Sequence, residues 1–124
     1  MKVTQGDMYQ VEIPPIAAIA KHTPKIYDIT LCRVHTDEGL TGIGETAVYH
    51  TTAAERDQMR AVGNSYIGQD QLSLDAFAQQ DLFECAFLDI QGRALGIPVW
   101  RLFGPQVRSR VPVSYWLVPM PAAD

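Results

Sequence analysis

Asp89 and Arg93 stand four residues apart inside the apolar run FLDIQGRAL (residues 87–95), so on a helix a carboxylate and a guanidinium face each other across one turn. A carboxylate in such surroundings is either a group tuned for proton transfer or a buried anion satisfied by backbone N–H groups or by Arg93. The second is the commoner use of a buried polar group. Cys32 and Cys85 have no CxxC spacing and no companion His at ligand distance, which predicts two reduced, buried, small hydrophobes rather than a zinc site or a disulfide framework. Arg101, Arg108 and Arg110 come nearest to a basic patch, and they read as a solvated face or as ion-pair partners.

Composition narrows the classes further. The 124 residues are 47% hydrophobic and 19% charged, with a formal charge of -4, the profile of one globular domain with enough apolar side chains for a core. An acidic chain without interleaved basic and aromatic residues is not built to hold a nucleic acid. The N-terminal MKVTQGDMYQVEIPP lacks the apolar stretch of a signal peptide, and nothing approaches the roughly 20 apolar residues of a membrane span, so a cytoplasmic location is expected.

The elements that must position these residues follow from periodicity. Val3, Tyr9, Val11 and Ile13 predict an opening strand, interrupted near Gly6-Asp7 and ended by Pro14-Pro15, which cannot donate to a ladder. Residues 26–35 alternate, with Tyr27, Ile29 and Leu31 on one face and Cys32 and Val34 giving the other an apolar end, as in a strand with one face buried. Thr36-Asp37-Glu38-Gly39 supplies a turn, and residues 40–47 return antiparallel. Gly42 and Gly44 share a face of that return strand and predict close packing by a buried helix. Thr52 and Glu55 form a capping box ahead of a helix whose Met59, Val62 and Tyr66 turn inward, Gly68 breaks it, and Ser73 can cap the next segment. Phe83, Phe87, Ile90 and Ala94 mark a buried helix stopped at Gly96, with Pro98 opening a short second helix that Gly104-Pro105 closes. Residues 111–116 then read as a strand. Strands followed by a helical layer make an α+β domain, a three-stranded antiparallel meander with a helical bundle.

The succession VEIPP (residues 11–15), DEGLTGIGET (37–46), FLDIQGRALGIPVWRLFG (87–104) and RVPVSYW (110–116) resembles the N-terminal part of the enolase superfamily, in its mandelate racemase and muconate lactonizing enzyme branch. The resemblance implies a capping domain over residues 1–109 and, over 110–124, the first strand and following loop of a TIM barrel. It implies a parent enzyme that abstracts a proton α to a carboxylate with Mg²⁺ stabilising the enolate: a racemase, epimerase, cycloisomerase or acid-sugar dehydratase. In that family the metal carboxylates and the Lys or His acid/base groups sit on later barrel strands. A full barrel takes about 250 residues, whereas 14 follow Arg110. The expectation is therefore a truncated chain, inactive alone, that binds no metal and holds no catalytic residue. Glu45, Asp70 and Asp89 are assigned to the cap rather than to a metal.

The cap's part, by the same resemblance, is to close the barrel mouth with two loops that exclude water and select the substrate. These map to residues 16–24, with Lys21 and His22 beside Thr23, and 46–52, with Tyr49 and His50. Lys21 and His22 suit an anionic or hydroxylated substrate; His22 reads equally as a solvated loop histidine and His50 as support for the following helix. Lys21 and His22 are not an acid/base couple, because the family's chemistry comes from the barrel. Tyr115 and Trp116, at the C-terminal end of the barrel strand, are the expected pocket wall. The implied partners are a small-molecule carboxylate and further copies of the chain, with neither nucleic acid nor membrane. The other function class is a free-standing binding or oligomerisation module that uses the apolar surface a barrel would cover.

Overall fold

The computed structural model describes residues 1–15, 17–20, 27–46, 52–76 and 82–114. Strands β1 (Val3–Ile13), β2 (Tyr27–Thr36) and β3 (Thr41–Glu45) form an antiparallel sheet in the order β1-β2-β3, with a one-turn helix α1 (Ala17–Ala20) between the first two. Helices α2 (Ala53–Ser65) and α3 (Leu82–Leu95) and a 3₁₀ helix (Val99–Phe103) follow. The α+β meander with its helical layer is the expected architecture. No helix among the described residues is long and apolar enough to cross a membrane.

The turn between β2 and β3 closes through Thr36 N–H on the Leu40 carbonyl at 3.0 Å, with Gly39 at a φ of 81° that favours glycine. β1 runs unbroken through Gly6. Its irregularity falls earlier, where the register with β2 shifts between Val3 and Gln5. That extra residue turns Val3 onto the helix side of the sheet while Tyr9, Val11 and Ile13 take the open side. The buried face of β2 is the even one, Thr30, Cys32, Val34 and Thr36, because α3 lies over it; among the described odd residues 29, 31, 33 and 35 only Ile29 is buried.

α3 carries the core. Leu82, Phe83, Ala86, Phe87, Leu88 and Ile90 pack with Val3, Cys32, Val34 and Ala76, and the Tyr66 ring meets Phe87 edge-on at 4.8 Å. The two β3 glycines are what allow the approach: a Cβ on Gly42 would lie 2.0 Å from the Ala86 carbonyl oxygen, and one on Gly44 1.7 Å from that of Leu82. Cys32 Sγ donates to the same Leu82 carbonyl at 3.2 Å. Burial pushes the Cys32 thiol up to about 11. Cys85, by contrast, is exposed. It shares an outward stripe at i, i+4, i+8 with Asp89 and Arg93, a stripe that the apolar composition of α3 conceals.

The caps are as the residues dictate. Thr52 Oγ1 accepts from Glu55 N–H at 3.3 Å and Glu55 Oε2 accepts from Thr52 N–H at 2.7 Å, a complete capping box. α2 has no fully buried residue: Met59 and Tyr66 are half-buried and Val62 is exposed. α3 ends at Gly96, whose φ is 66°, and Ile97 N–H closes back on the Gly92 carbonyl at 3.0 Å. The strand expected from residue 111 does not form over 111–114. Val111 and Val113 are 68% and 85% exposed, Pro112 has no N–H to donate, and among the described residues no strand lies beside this segment to pair with.

Candidate functional site

Sheet register decides where the two candidate loops begin. β1 leaves the sheet at Ile13, opposite Tyr27 where β2 enters, and β3 leaves at Glu45, opposite Leu31. The chain therefore leaves the sheet for both candidate loops at one end, and the 37–40 turn occupies the other. The six side chains expected to meet a substrate, Lys21, His22, Tyr49, His50, Tyr115 and Trp116, lie outside the described residues. The roots of both loops are described.

Those roots are polar in a way sequence inspection missed. Thr46 N–H donates to the Thr30 carbonyl at 2.9 Å, and Thr30 N–H donates to Thr46 Oγ1 at 3.3 Å. Thr30 Oγ1 in turn donates to Gln10 Oε1 at 3.2 Å, and Gln10 Nε2 donates to Asp28 Oδ1. Arg56 and Arg60 of α2 join Met8, Tyr9, Gln10 and Thr30 around a depression of about 70 Å³, room for a few waters rather than for a substrate-sized ligand. The signal in the sequence was the polar residue at each even position beyond the apolar Met8 and Cys32, and it becomes legible once the register is known.

The three carboxylates set aside on sequence grounds have structural partners or positions. Asp89 Oδ1 accepts from Arg93 Nε at 2.9 Å. Asp70 accepts from the Met1 ammonium at 3.1 Å, which holds its carboxyl below the usual range. Glu45 ends β3 on the exposed side of the sheet. Among the described residues no three His, Cys, Asp or Glu side chains converge as a metal site would require.

The described residues thus make a short antiparallel meander backed by helices, with the chain leaving the sheet for both candidate loops at one end. Residues 7–104 match the family model of the mandelate racemase / muconate lactonizing enzyme N-terminal domain, and the chain belongs to that family. The chain is similar to D-galactonate dehydratase of Variovorax paradoxus (strain S110), 28% identical over 102 residues, covering 68% of this chain and 27% of that protein. It is similar to muconate cycloisomerase 1 of Pseudomonas putida, 29% identical over 125 residues, covering 85% and 33%. Among solved structures, an enolase from Thermobispora bispora complexed with magnesium and formate superposes with a TM-score of 0.67 at 27% identity, covering 93% of this chain and 34% of that one. The chain thus spans about a third or less of the length of these relatives.

Proposed function

We propose that this chain is the capping part of a cytoplasmic, Mg²⁺-dependent enzyme of the enolase superfamily that abstracts a proton next to a carboxylate, as a racemase, epimerase, cycloisomerase or acid-sugar dehydratase. The observation that carries the reading is the family match over residues 7–104, joined to a sheet register that sends both candidate loops from one end. The cycloisomerase and dehydratase relatives, and the magnesium in a solved neighbour, support the reaction class.

In this reading the chain contributes specificity and not chemistry. Lys21 and His22 meet the substrate's carboxylate or hydroxyl groups from the first loop, Tyr49 and His50 approach from the second, and Tyr115 and Trp116 form the wall. In this reading the magnesium ligands and the acid/base groups belong to the barrel, in keeping with the lack, among the described residues, of three converging His, Cys, Asp or Glu side chains. The loops hold the substrate in register and keep water from the reacting carbon.

A second reading, a module that binds a partner or its own copy, draws on the exposed apolar side chains Trp100, Phe103, Val107, Val111 and Val113. In the first reading the same surface packs against the barrel. Exchange in D₂O tests the assignment of the chemistry to the barrel. Incubated with Mg²⁺ and a set of 2-hydroxy and sugar-acid carboxylates, the purified chain is expected to leave the α-proton in place. Deuterium at that carbon, seen by proton NMR, would overturn the assignment of all catalytic groups to the barrel.

A further inference from the structure

The helix side of the sheet changes character along its length. Beneath α3 it is Met8, Cys32 and Val34; toward the loop end it is Gln10, Asp28, Thr30 and Thr46. Thr30 and Thr46 are only 1% and 4% exposed, and a buried hydroxyl without a partner costs about 1–3 kcal/mol. Placing two of them there is stable because each has a partner on a neighbouring strand: the Thr30 hydroxyl donates to Gln10 Oε1 on β1, and the Thr46 hydroxyl accepts from Thr30 N–H on β2. Thr46 Oγ1 occupies the ladder position its own carbonyl would hold, taking Thr30 N–H at 3.3 Å. β3 stops at this rung, and the backbone is released into the second loop.

The hydrogen bonds run from Thr46, just past the end of β3, to Thr30 on β2, to Gln10 on β1, and back to Asp28 where β2 begins. The two ends of that run are the roots of the two loops. Donor and acceptor order is consistent throughout: the Thr30 hydroxyl donates to the Gln10 carbonyl oxygen, which leaves the Gln10 amide nitrogen to donate to the Asp28 carboxylate. The Gln10 amide relays polarisation between its two bonds, and Thr30 joins the set mechanically, its backbone paired to Thr46 and its hydroxyl to Gln10.

We infer that Gln10 and Thr30 are positioning residues: they tie the root of the first loop to the root of the second, so that the two roots are held in one relative placement. The significance for substrate selection rests on the proposed function. The tie itself is a property of this chain, so its test needs no enzyme activity, and a failure of either idea leaves the other standing.

Backbone amide exchange in the full chain, resolved by NMR, tests it. Gln10→Leu removes the amide at similar size, and Thr30→Val removes the hydroxyl while keeping the branched shape. Each is expected to speed exchange of the Thr46 amide, two strands away and one strand away respectively, by about tenfold, while the hairpin amides of Thr36 and Gly39 at the far end stay within about twofold. Thr30→Ser restores the native rate. Thr46 exchange that does not respond to Gln10→Leu overturns the proposal, as does acceleration spread equally to Thr36 and Gly39, which would mean general loss of stability. Failure of Thr30→Ser to rescue overturns it too, because the hydroxyl would then not be the link.

Discussion

Gly44→Ala puts the packing of α3 on β3 to a quantitative test. The new Cβ would start 1.7 Å from the Leu82 carbonyl oxygen, where contacts under 3.0 Å are essentially never sustained. The obstacle is helix backbone, so no rotamer change relieves it, and strand and helix must part by at least about 1.3 Å, when a radial gap of about 0.5–1 Å already forfeits a quarter to a half of a dispersion contact. Leu82, Ala86, Phe87 and Ile90 all sit on this interface and are buried. Overpacking of this kind costs typically about 1–3 kcal/mol, and a backbone clash belongs at the upper end. With a urea m-value of about 2 kcal/mol/M, a loss of about 3 kcal/mol lowers the unfolding midpoint by about 1.5 M. Gly6→Ala, where nothing lies within 4 Å, is the control and should move the midpoint little. Gly42→Ala meets the Ala86 carbonyl oxygen at 2.0 Å, so it should cost a similar amount. One helix displacement relieves both clashes, so the double variant should lose less than the sum. A Gly44→Ala midpoint indistinguishable from Gly6→Ala would refute the close approach and, with it, the reason for two glycines in a five-residue strand.

Two further outcomes follow from local chemistry. A thiol reagent should modify one cysteine promptly, the exposed Cys85, and Cys32 only on unfolding; two fast thiols would contradict the burial of Cys32. Because the folded Cys32 thiol is raised from 9.0 to about 11, its contribution to stability is fully present below pH 9 and is lost as pH rises from 9 toward 11, a window read as the difference between the native chain and Cys32→Ala. Thr52→Ala removes the side-chain half of the capping box, leaving the residue-52 N–H to Glu55 Oε2 in place, and should cost about 1 kcal/mol by chemical denaturation, with Thr52→Ser close to native. Hydrogen bonds from the Thr52 side chain and backbone hold the Glu55 carboxyl below its ordinary range. The box is therefore intact above that ordinary range and weakens as pH falls through the lowered value.

What could be read from the sequence was whatever a few consecutive residues determine. Thr52 and Glu55 specify their cap locally, Gly39, Gly68 and Gly96 take the positive φ that their turns require, and Gly42 with Gly44 makes sense only beneath a close neighbour. The face of β2 that is buried was not legible, because the apolar residues Tyr27, Ile29 and Leu31 favoured the odd face while the position of α3 selected the even one. A register shift near Val3 then moved one apolar residue of β1 across the sheet. Cys85 was misassigned for a related reason: a helix apolar on most sides gives little information about which side faces out. The loop-root chain of Gln10, Asp28, Thr30 and Thr46 depends on three strands being aligned, and no linear pattern states that alignment. The residues expected to touch substrate belonged to segments recognised through family resemblance, whereas the residues that hold those segments emerged only from the hydrogen bonding.

The central claim, that residues 1–109 are a specificity cap whose chemistry is supplied by a barrel, is tested most directly by joining them to the barrel of a relative such as the Pseudomonas putida muconate cycloisomerase and following α-proton exchange of carboxylate substrates in D₂O. The account predicts exchange by the hybrid, a substrate preference that shifts when Lys21, His22, Tyr49 or His50 is replaced by Ala, and none by the chain alone. Exchange by the isolated chain, or a hybrid whose preference ignores all four replacements, would contradict it.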